Sequence, residues 1–240
     1  MSTRLAGLYA VAAAAASVVF APLLALAYSR TTEGAEEFES ATLFPGWIER
    51  GVDVAGPLLT FASDDRVYAF YTQLFALLVP AVLLCALAAR SLRPAPRSRL
   101  ERWGWRVALF GYALFALGLL LVAGAMFFVS GMHAAIDVPF MTMMFPGLLL
   151  SLLGTTALGI GLLRGGYEPR VTSWLLVLAL PLWVFGSFVL GHNSLGLVPL
   201  LVAWGVTGYR LWRAAALQRI RRSDQASQAS SARPDPLASV

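Results

Sequence analysis

The chain has 240 residues, of which 58% are hydrophobic and only 13% charged, and its mean hydropathy is +0.71. A soluble domain carries about 25% charged residues, so this composition excludes a water-soluble core and a separate soluble catalytic domain. The net charge of +5 rests on arginine, because the chain contains no lysine. The arginines border apolar stretches, which predicts contact with membrane lipids and no binding of nucleic acid. The single cysteine, Cys85, excludes an intramolecular disulfide framework.

Six apolar stretches, each about long enough to cross a bilayer, predict an all-α, polytopic transmembrane helix bundle. The predicted spans are residues 6–28, 67–89, 107–129, 138–163, 171–190 and 195–212. We assign residues 1–222 to this bundle, with an outer segment at 29–66, and residues 223–240 to a disordered cytoplasmic tail. Ala25-Leu26-Ala27 resembles a signal-peptidase site. The apolar run before it is longer than signal peptides use, which favours an uncleaved first span and leaves cleavage as the alternative.

The distribution of arginine predicts the orientation of the bundle. With the N-terminus in the cytoplasm, every arginine except Arg30, Arg50 and Arg66 falls on the cytoplasmic side, as the positive-inside rule requires. Both termini are then cytoplasmic, and we expect a multi-pass protein of the cell membrane. Five arginines follow the last span closely: Arg210, Arg213, Arg219, Arg221 and Arg222. We expect them to attract anionic lipid at the cytoplasmic face, each by about 1 kcal/mol.

The outer segment has an acidic first half and an amphipathic second half, which Pro45 would begin. Apolar side chains share one side of this predicted helix: Trp47, Ile48, Val52, Ala55, Leu58 and Leu59. Glu49, Arg50 and Asp53 fall on the other side. The pattern predicts an outer interfacial amphipathic helix, with Trp47 at headgroup depth. We interpret the helix as a lid that caps the bundle, with a substrate gate as the alternative.

The fourth span carries the clearest packing signal, because Gly147, Ser151, Thr155 and Gly159 recur every four residues. Small side chains at this spacing let another helix approach closely, which matters in lipid, where apolar burial drives association only weakly. We therefore place the fourth helix at the centre of the bundle. Four further positions predict kinks, since proline interrupts apolar runs there: Pro80, Pro146, Pro181 and Pro199.

One cluster on the outer side has metal-binding chemistry. The methionines after the initiator all lie there: Met126, Met132, Met141, Met143 and Met144. His133 and Asp137 lie among them, and Asp137, Met141 and Met144 fall within about 60° on a helical wheel. His192, the other histidine, lies in a loop on the same face. Thioether and imidazole suit copper(I), and two histidines at one depth suit haem. The candidate metal site consists of His133, Asp137, Met141, Met144 and His192. Ordinary packing by methionine is the interpretation that we favour.

The spans lack a recognisable catalytic set. Their midplane offers hydroxyls with no histidine or carboxylate at the same depth: Ser151, Thr155, Thr156 and Ser187. We therefore expect no enzyme, and these hydroxyls are typical of helix contacts. The predicted function is a non-enzymatic integral membrane protein that contacts lipid, an apolar small molecule or a membrane partner and needs no cofactor. Two alternatives stay open: a copper- or haem-binding redox or metal-handling protein, and a small-solute transporter, which would need a polar path through the bundle.

Overall fold

The structure is a computed structural model that describes residues 2–41, 46–93, 98–128 and 134–231. Throughout these residues the regular structure is helical and contains no β-strand. The helices are α1 (Thr3–Tyr28), α2 (Thr32–Ala41), α3 (Gly46–Leu59), α4 (Asp64–Ala76), α5 (Val79–Leu92), α6 (Arg99–Ala125), α7 (Ala134–Pro139), α8 (Phe145–Arg164), α9 (Arg170–Val177), α10 (Ala179–Phe188) and α11 (Asn193–Ser231), with a π-helical turn at Phe140–Met144. Five helical stretches are long and apolar enough to cross a membrane, and the bent pair of α9 and α10 makes a sixth when it counts as one span. The predicted all-α bundle of about six spans is confirmed.

Prolines explain where two of the spans are broken. α4 ends four residues before Pro80, and α9 ends four residues before Pro181, where the α9–α10 pair bends by 52°. A proline has no N–H for the carbonyl four residues earlier, and its ring clashes with that carbonyl. At Pro146 the irregular turn is the π-helical one that precedes α8. The kink predicted at Pro199 is not accompanied by a break, because α11 continues through this residue.

α1 and α11 run antiparallel, so the start of α1 and the far part of α11 lie at one end of the bundle. A Cβ atom added to Gly7 would lie 2.4 Å from the carbonyl oxygen of Gly208, which shows how closely the two backbones pack. We call this end, where α6 and α9 also begin, the arginine end. The opposite end, covered by α2 and α3, is called the lid end.

α6 and α8 pack backbone against backbone along their length. Glycines recur every seven residues in both helices: Gly104, Gly111 and Gly118 in α6, and Gly147, Gly154 and Gly161 in α8. A Cβ on Gly111 would lie 2.3 Å from the backbone nitrogen of Ser151, and one on Gly154 would lie 2.3 Å from that of Ala108. Each step of seven residues along α6 is matched by an equal step back along α8. We call this contact the glycine seam.

The small-residue stripe predicted in the fourth span serves two neighbours. Gly147 and Ser151 face α6 in the glycine seam, whereas a Cβ on Gly159 would lie 2.6 Å from the backbone nitrogen of Val177 in α9. Thr155 is buried between them and hydrogen-bonds to α6. The predicted close approach of helices is therefore confirmed, and α8 also contacts α10.

α3 lies on the lid end with its apolar face turned toward the bundle. Its inward side chains are Trp47, Ile48, Val52, Ala55 and the fully buried Leu59. Glu49, Arg50 and Asp53 are exposed, so the predicted amphipathic helix is confirmed. Leu58 is a correction: it is 53% exposed, because it lies about 100° around the helix from Leu59, beyond the edge of the apolar stripe.

The C-terminal segment differs from the predicted disordered tail. α11 continues to Ser231, so residues 223–231 are helical. A helix that is already nucleated inside a bundle extends at low cost through residues such as Ala, Gln and Arg, and Pro234 is the first residue after the last span that would stop it. Residues 232–240 of the predicted tail lie outside the described residues.

Candidate functional site

The structure places the candidate metal ligands in two separate surroundings. Asp137 in α7 and Met141 and Met144 in the π-helical turn belong to a stretch that packs on α6. His192 precedes α11 and packs against α1. His133 lies outside the described residues. The structure therefore brings Asp137 and the two methionines onto one stretch and places His192 beside a different helix.

Within that stretch, only part of the candidate set turns inward. Met144 packs partly buried against the core, whereas Met141 is 64% exposed. The Oδ1 atom of Asp137 is buried without a hydrogen-bond partner among the described residues. Among all the residues that the structure describes, no three His, Cys, Asp or Glu side chains lie close enough together to hold a metal ion. The metal site stays a prediction. The buried Oδ1 atom of Asp137 is the observation that supports it.

His192 caps the beginning of α11. Its Nδ1 atom accepts a hydrogen bond from the backbone N–H of Ser194 at 3.2 Å and lies 2.8 Å from the Ser194 hydroxyl, which donates to the carbonyl of Ala21 at 2.9 Å. Burial lowers the pKa of His192 to about 4, so the ring is neutral at physiological pH. A metal ion at Nδ1 would have to displace the helix cap.

Aromatic rings surround Tyr28 beneath the lid. Its ring centroid lies 5.2 Å from those of Tyr68 and His192 and 6.1 Å from that of Phe38. The Tyr28 hydroxyl donates to Glu37 in α2 at 2.6 Å. This bond and the ring contacts tie α2 to the ends of α1 and α4.

α3 is attached to the bundle by a bond that the sequence did not indicate. The indole N–H of Trp47 donates to the carbonyl oxygen of Leu190 at 3.2 Å, so its polar atom is satisfied by protein. The sequence placed this indole at headgroup depth, where a lipid or water would accept the bond. At the same end, Arg30 and Asp64 form an ion pair at 2.8 Å that joins α1 to α4.

Hydrogen bonds connect buried polar side chains from five helices. We call this group the polar row, and its members are Cys85 (α5), Tyr112 (α6), Thr155 (α8), Thr172 (α9), and Trp204 and Thr207 (α11). Trp204 Nε1 donates to the Tyr112 hydroxyl at 3.1 Å, and that hydroxyl lies 2.5 Å from Thr155 Oγ1. Cys85 Sγ donates to the Trp204 carbonyl at 3.3 Å. The row uses its donors and acceptors to hold helices together.

The second half of the polar row joins α9 to α11. Thr172 Oγ1 donates to the Ala203 carbonyl at 3.2 Å, so the Thr207 hydroxyl, 3.1 Å away, donates to Thr172. Of the hydroxyls that the sequence assigned to helix contacts, Thr155 bonds to α6 and Ser187 bonds to Asn193 at the start of α11. Ser151 instead donates to Leu148 in its own helix, and Thr156 Oγ1 has no hydrogen-bond partner among the described residues. Two buried polar atoms nearby, Trp105 Nε1 and Ser173 Oγ, have no hydrogen-bond partner among the described residues.

A buried ion pair closes the arginine end of this region. Glu101 Oε1 accepts a bond from Arg93 Nε at 2.6 Å, and the Glu101 side chain is fully buried. Arg93 also lies over the ring of Tyr167, with its Cζ atom 5.0 Å from the centroid. Tyr167 is largely removed from water, which raises the pKa of its hydroxyl. The pair thereby links the segment between α5 and α6 to the one between α8 and α9.

Sequence reasoning missed Glu101, although a signal for its burial was present. Glu101 lies three residues before Gly104 and seven residues before Ala108. At this spacing it falls on the same side of α6, the side that faces α8. A carboxylate at such a position is buried and needs a cation, which Arg93 supplies. In the sequence, Arg93 contributes only to the predicted orientation.

The fold and its interior define the class of this protein as an all-α, apolar helix bundle that is compatible with a multi-pass membrane protein. Comparisons do not narrow the class, since the chain matches no family model, no curated protein and no solved structure. Its function is inferred from its own residues.

Proposed function

We propose that this chain is a multi-pass integral protein of the cell membrane that acts without catalysis, through contacts of its outer faces with lipid and with a membrane partner. The observation that supports this proposal is the polar row, whose members use their polar atoms on one another and on backbone carbonyls across five helices. Such groups hold a bundle in one arrangement and leave recognition to its surface.

The energetics favour a fixed core over a moving one. A hydrogen bond between membrane helices contributes about 0.6 to 2 kcal/mol, so the bonds of the polar row together resist separation of α6, α8 and α11. The glycine seam adds a contact in which backbones are already as close as sterics allow. A transporter would have to break these contacts to open a path along the polar row.

The single cysteine tests this proposal directly. Cys85 is fully buried within the polar row, so a fixed core should protect it from N-ethylmaleimide in liposomes until the protein is denatured in detergent. The control is a Cys85→Ala chain that carries Arg50→Cys, because Arg50 is exposed on α3 and a thiol there should react at once. Labelling of Cys85 in the folded protein would contradict a fixed core and favour the small-solute transporter.

A second candidate function, binding of copper or haem at the lid end, rests on the stretch that carries Met141, Met144 and Asp137, where the buried Asp137 Oδ1 atom has no partner among the described residues. It is tested by elemental analysis of protein purified without chelator. Near-stoichiometric copper or iron that disappears in the Asp137→Asn and His133→Ala variants would establish the site. Protein that stays metal-free after incubation with copper(I) and with haem would rule it out.

A further inference from the structure

One face of α6 at the arginine end carries positive charge that the described residues do not neutralise. Arg99, Arg102 and Arg106 fall within about 60° around the helix and span about 10 Å along it. All three are exposed, and no ion pair with a described residue involves any of them. Guanidinium groups this close repel one another unless an anion lies between them.

The surroundings of these arginines increase the demand for an anion. Arg99 and Arg102 lie in the first turn of α6, where the helix itself presents partial positive charge. The acidic residue of that turn, Glu101, points inward and is paired with Arg93. The outer face of this turn therefore keeps its positive charge.

The same face continues as an apolar track along α6. Phe110 and Leu117 are 61% and 49% exposed, and both lie within about 40° of Arg99 and Arg106 around the helix. Trp103, half exposed, lies beside the arginines with its ring 5.6 Å from the Cζ atom of Arg106. Exposed tryptophan beside arginine is typical of the level at which lipid headgroups meet acyl chains.

We propose that this face of α6 binds one anionic phospholipid. Arg102 and Arg106 hold the headgroup phosphate, Arg99 adds to the attraction, and an acyl chain lies along Phe110 and Leu117. The apolar track selects a lipid over free phosphate, because a free anion would gain nothing from those side chains. This inference rests on the proposed membrane function and names a lipid class and a place for it.

The experiment uses the full-length protein and native mass spectrometry in the presence of phosphatidylglycerol or phosphatidylcholine. We expect wild type to retain one phosphatidylglycerol more strongly than phosphatidylcholine. The Arg102→Gln/Arg106→Gln variant should bind phosphatidylglycerol about 20- to 30-fold more weakly, because each arginine near an anionic headgroup is worth about fivefold in affinity. Binding of phosphatidylcholine should not change.

The matched control is Arg50→Gln/Arg66→Gln, which removes two exposed arginines from the lid end. It should leave the affinity for phosphatidylglycerol unchanged. Equal losses in the two variants would show a nonspecific effect of net charge and overturn the proposal, as would full retention of phosphatidylglycerol by Arg102→Gln/Arg106→Gln. Displacement of the lipid by millimolar inorganic phosphate would instead assign the site to a free anion.

The lipid-binding experiment and the labelling of Cys85 test different proposals, so either proposal can be rejected without the other. Loss of lipid selectivity with Cys85 still protected would reject the α6 site and leave a fixed bundle. Labelled Cys85 with selective lipid binding would reject the fixed bundle and leave the site.

Discussion

Glu101 carries a charge inside this apolar bundle and therefore needs a counterion. Its carboxylate is fully buried, and the guanidinium of Arg93 lies 2.6 Å from it with a side chain that is itself mostly buried. Burying either charge alone would be costly, so each requires the other. The pair therefore matters for stability chiefly because removing one partner would leave the other charge buried and uncompensated.

Glu101→Gln should destabilise the protein by about 3 to 5 kcal/mol, because it leaves the Arg93 charge buried without a counterion. The measurement is thermal or denaturant unfolding in a single detergent. Glu168→Gln is the matched control, since Glu168 pairs with Arg170 at 3.7 Å on the exposed surface of the same end. An exposed pair contributes about 0 to 1 kcal/mol, so equal effects in the two variants would contradict the buried pair.

His192 should make the stability of the protein depend on pH. Its folded pKa of about 4 is below the value of 6.5 for a free imidazole, so between these values the unfolded chain binds a proton that the folded chain does not. Stability should therefore fall as the pH drops from about 6.5 to 4. His192→Asn keeps an acceptor for the α11 cap but does not titrate. Between pH 4 and 6.5, the free energy of unfolding of this variant should depend less steeply on pH than that of wild type, by the slope that corresponds to at most one proton. Parallel pH profiles for wild type and variant would show that the ring is not held neutral.

At the scale of elements, the glycine seam determines how α6 and α8 meet. Glycines at intervals of seven keep one face of each helix free of side chains, and the opposite backbone fills the space. In lipid, this close contact supplies dispersion energy that apolar burial cannot.

Gly111→Ala should destabilise the bundle by about 1 to 3 kcal/mol, since its new methyl group would lie 2.3 Å from the backbone of α8 and force the helices apart. Gly124→Ala, in the same helix, is the control because a Cβ there meets no atom of the described residues within 4 Å. That substitution should be neutral or stabilise by up to about 1 kcal/mol through helix propensity. Unfolding temperatures in one detergent measure both, and a tolerated Gly111→Ala would mean that the seam can loosen without cost.

At the scale of the whole molecule, the two ends of the bundle differ in charge and covering. Helices α1, α6, α9 and α11 bring arginines to one end, whereas α2 and α3 cover the other with acidic and amphipathic segments. This asymmetry is the property that the insertion machinery reads.

We predict that the arginine end faces the cytoplasm. In a Cys85→Ala background, Arg50→Cys on α3 should react with a membrane-impermeant thiol reagent in intact cells, and Arg170→Cys should react only after permeabilisation. Both positions are exposed, so accessibility reports the side of the membrane rather than burial. The reverse labelling pattern would overturn the predicted orientation.

What the sequence by itself determined is the class of fold: the number of spans, the break points at Pro80 and Pro181, the small-residue face of α8 and the amphipathic α3. These features depend on local rules, since hydrophobic length, proline chemistry and helical periodicity act within one segment. Tertiary structure alone decided that Arg93 reaches Glu101, that polar groups from five helices meet in one row, and that His192 and Asp137 lie beside different helices. Such partners come from segments far apart in the chain, and periodicity states which face a residue occupies but not which helix lies against that face.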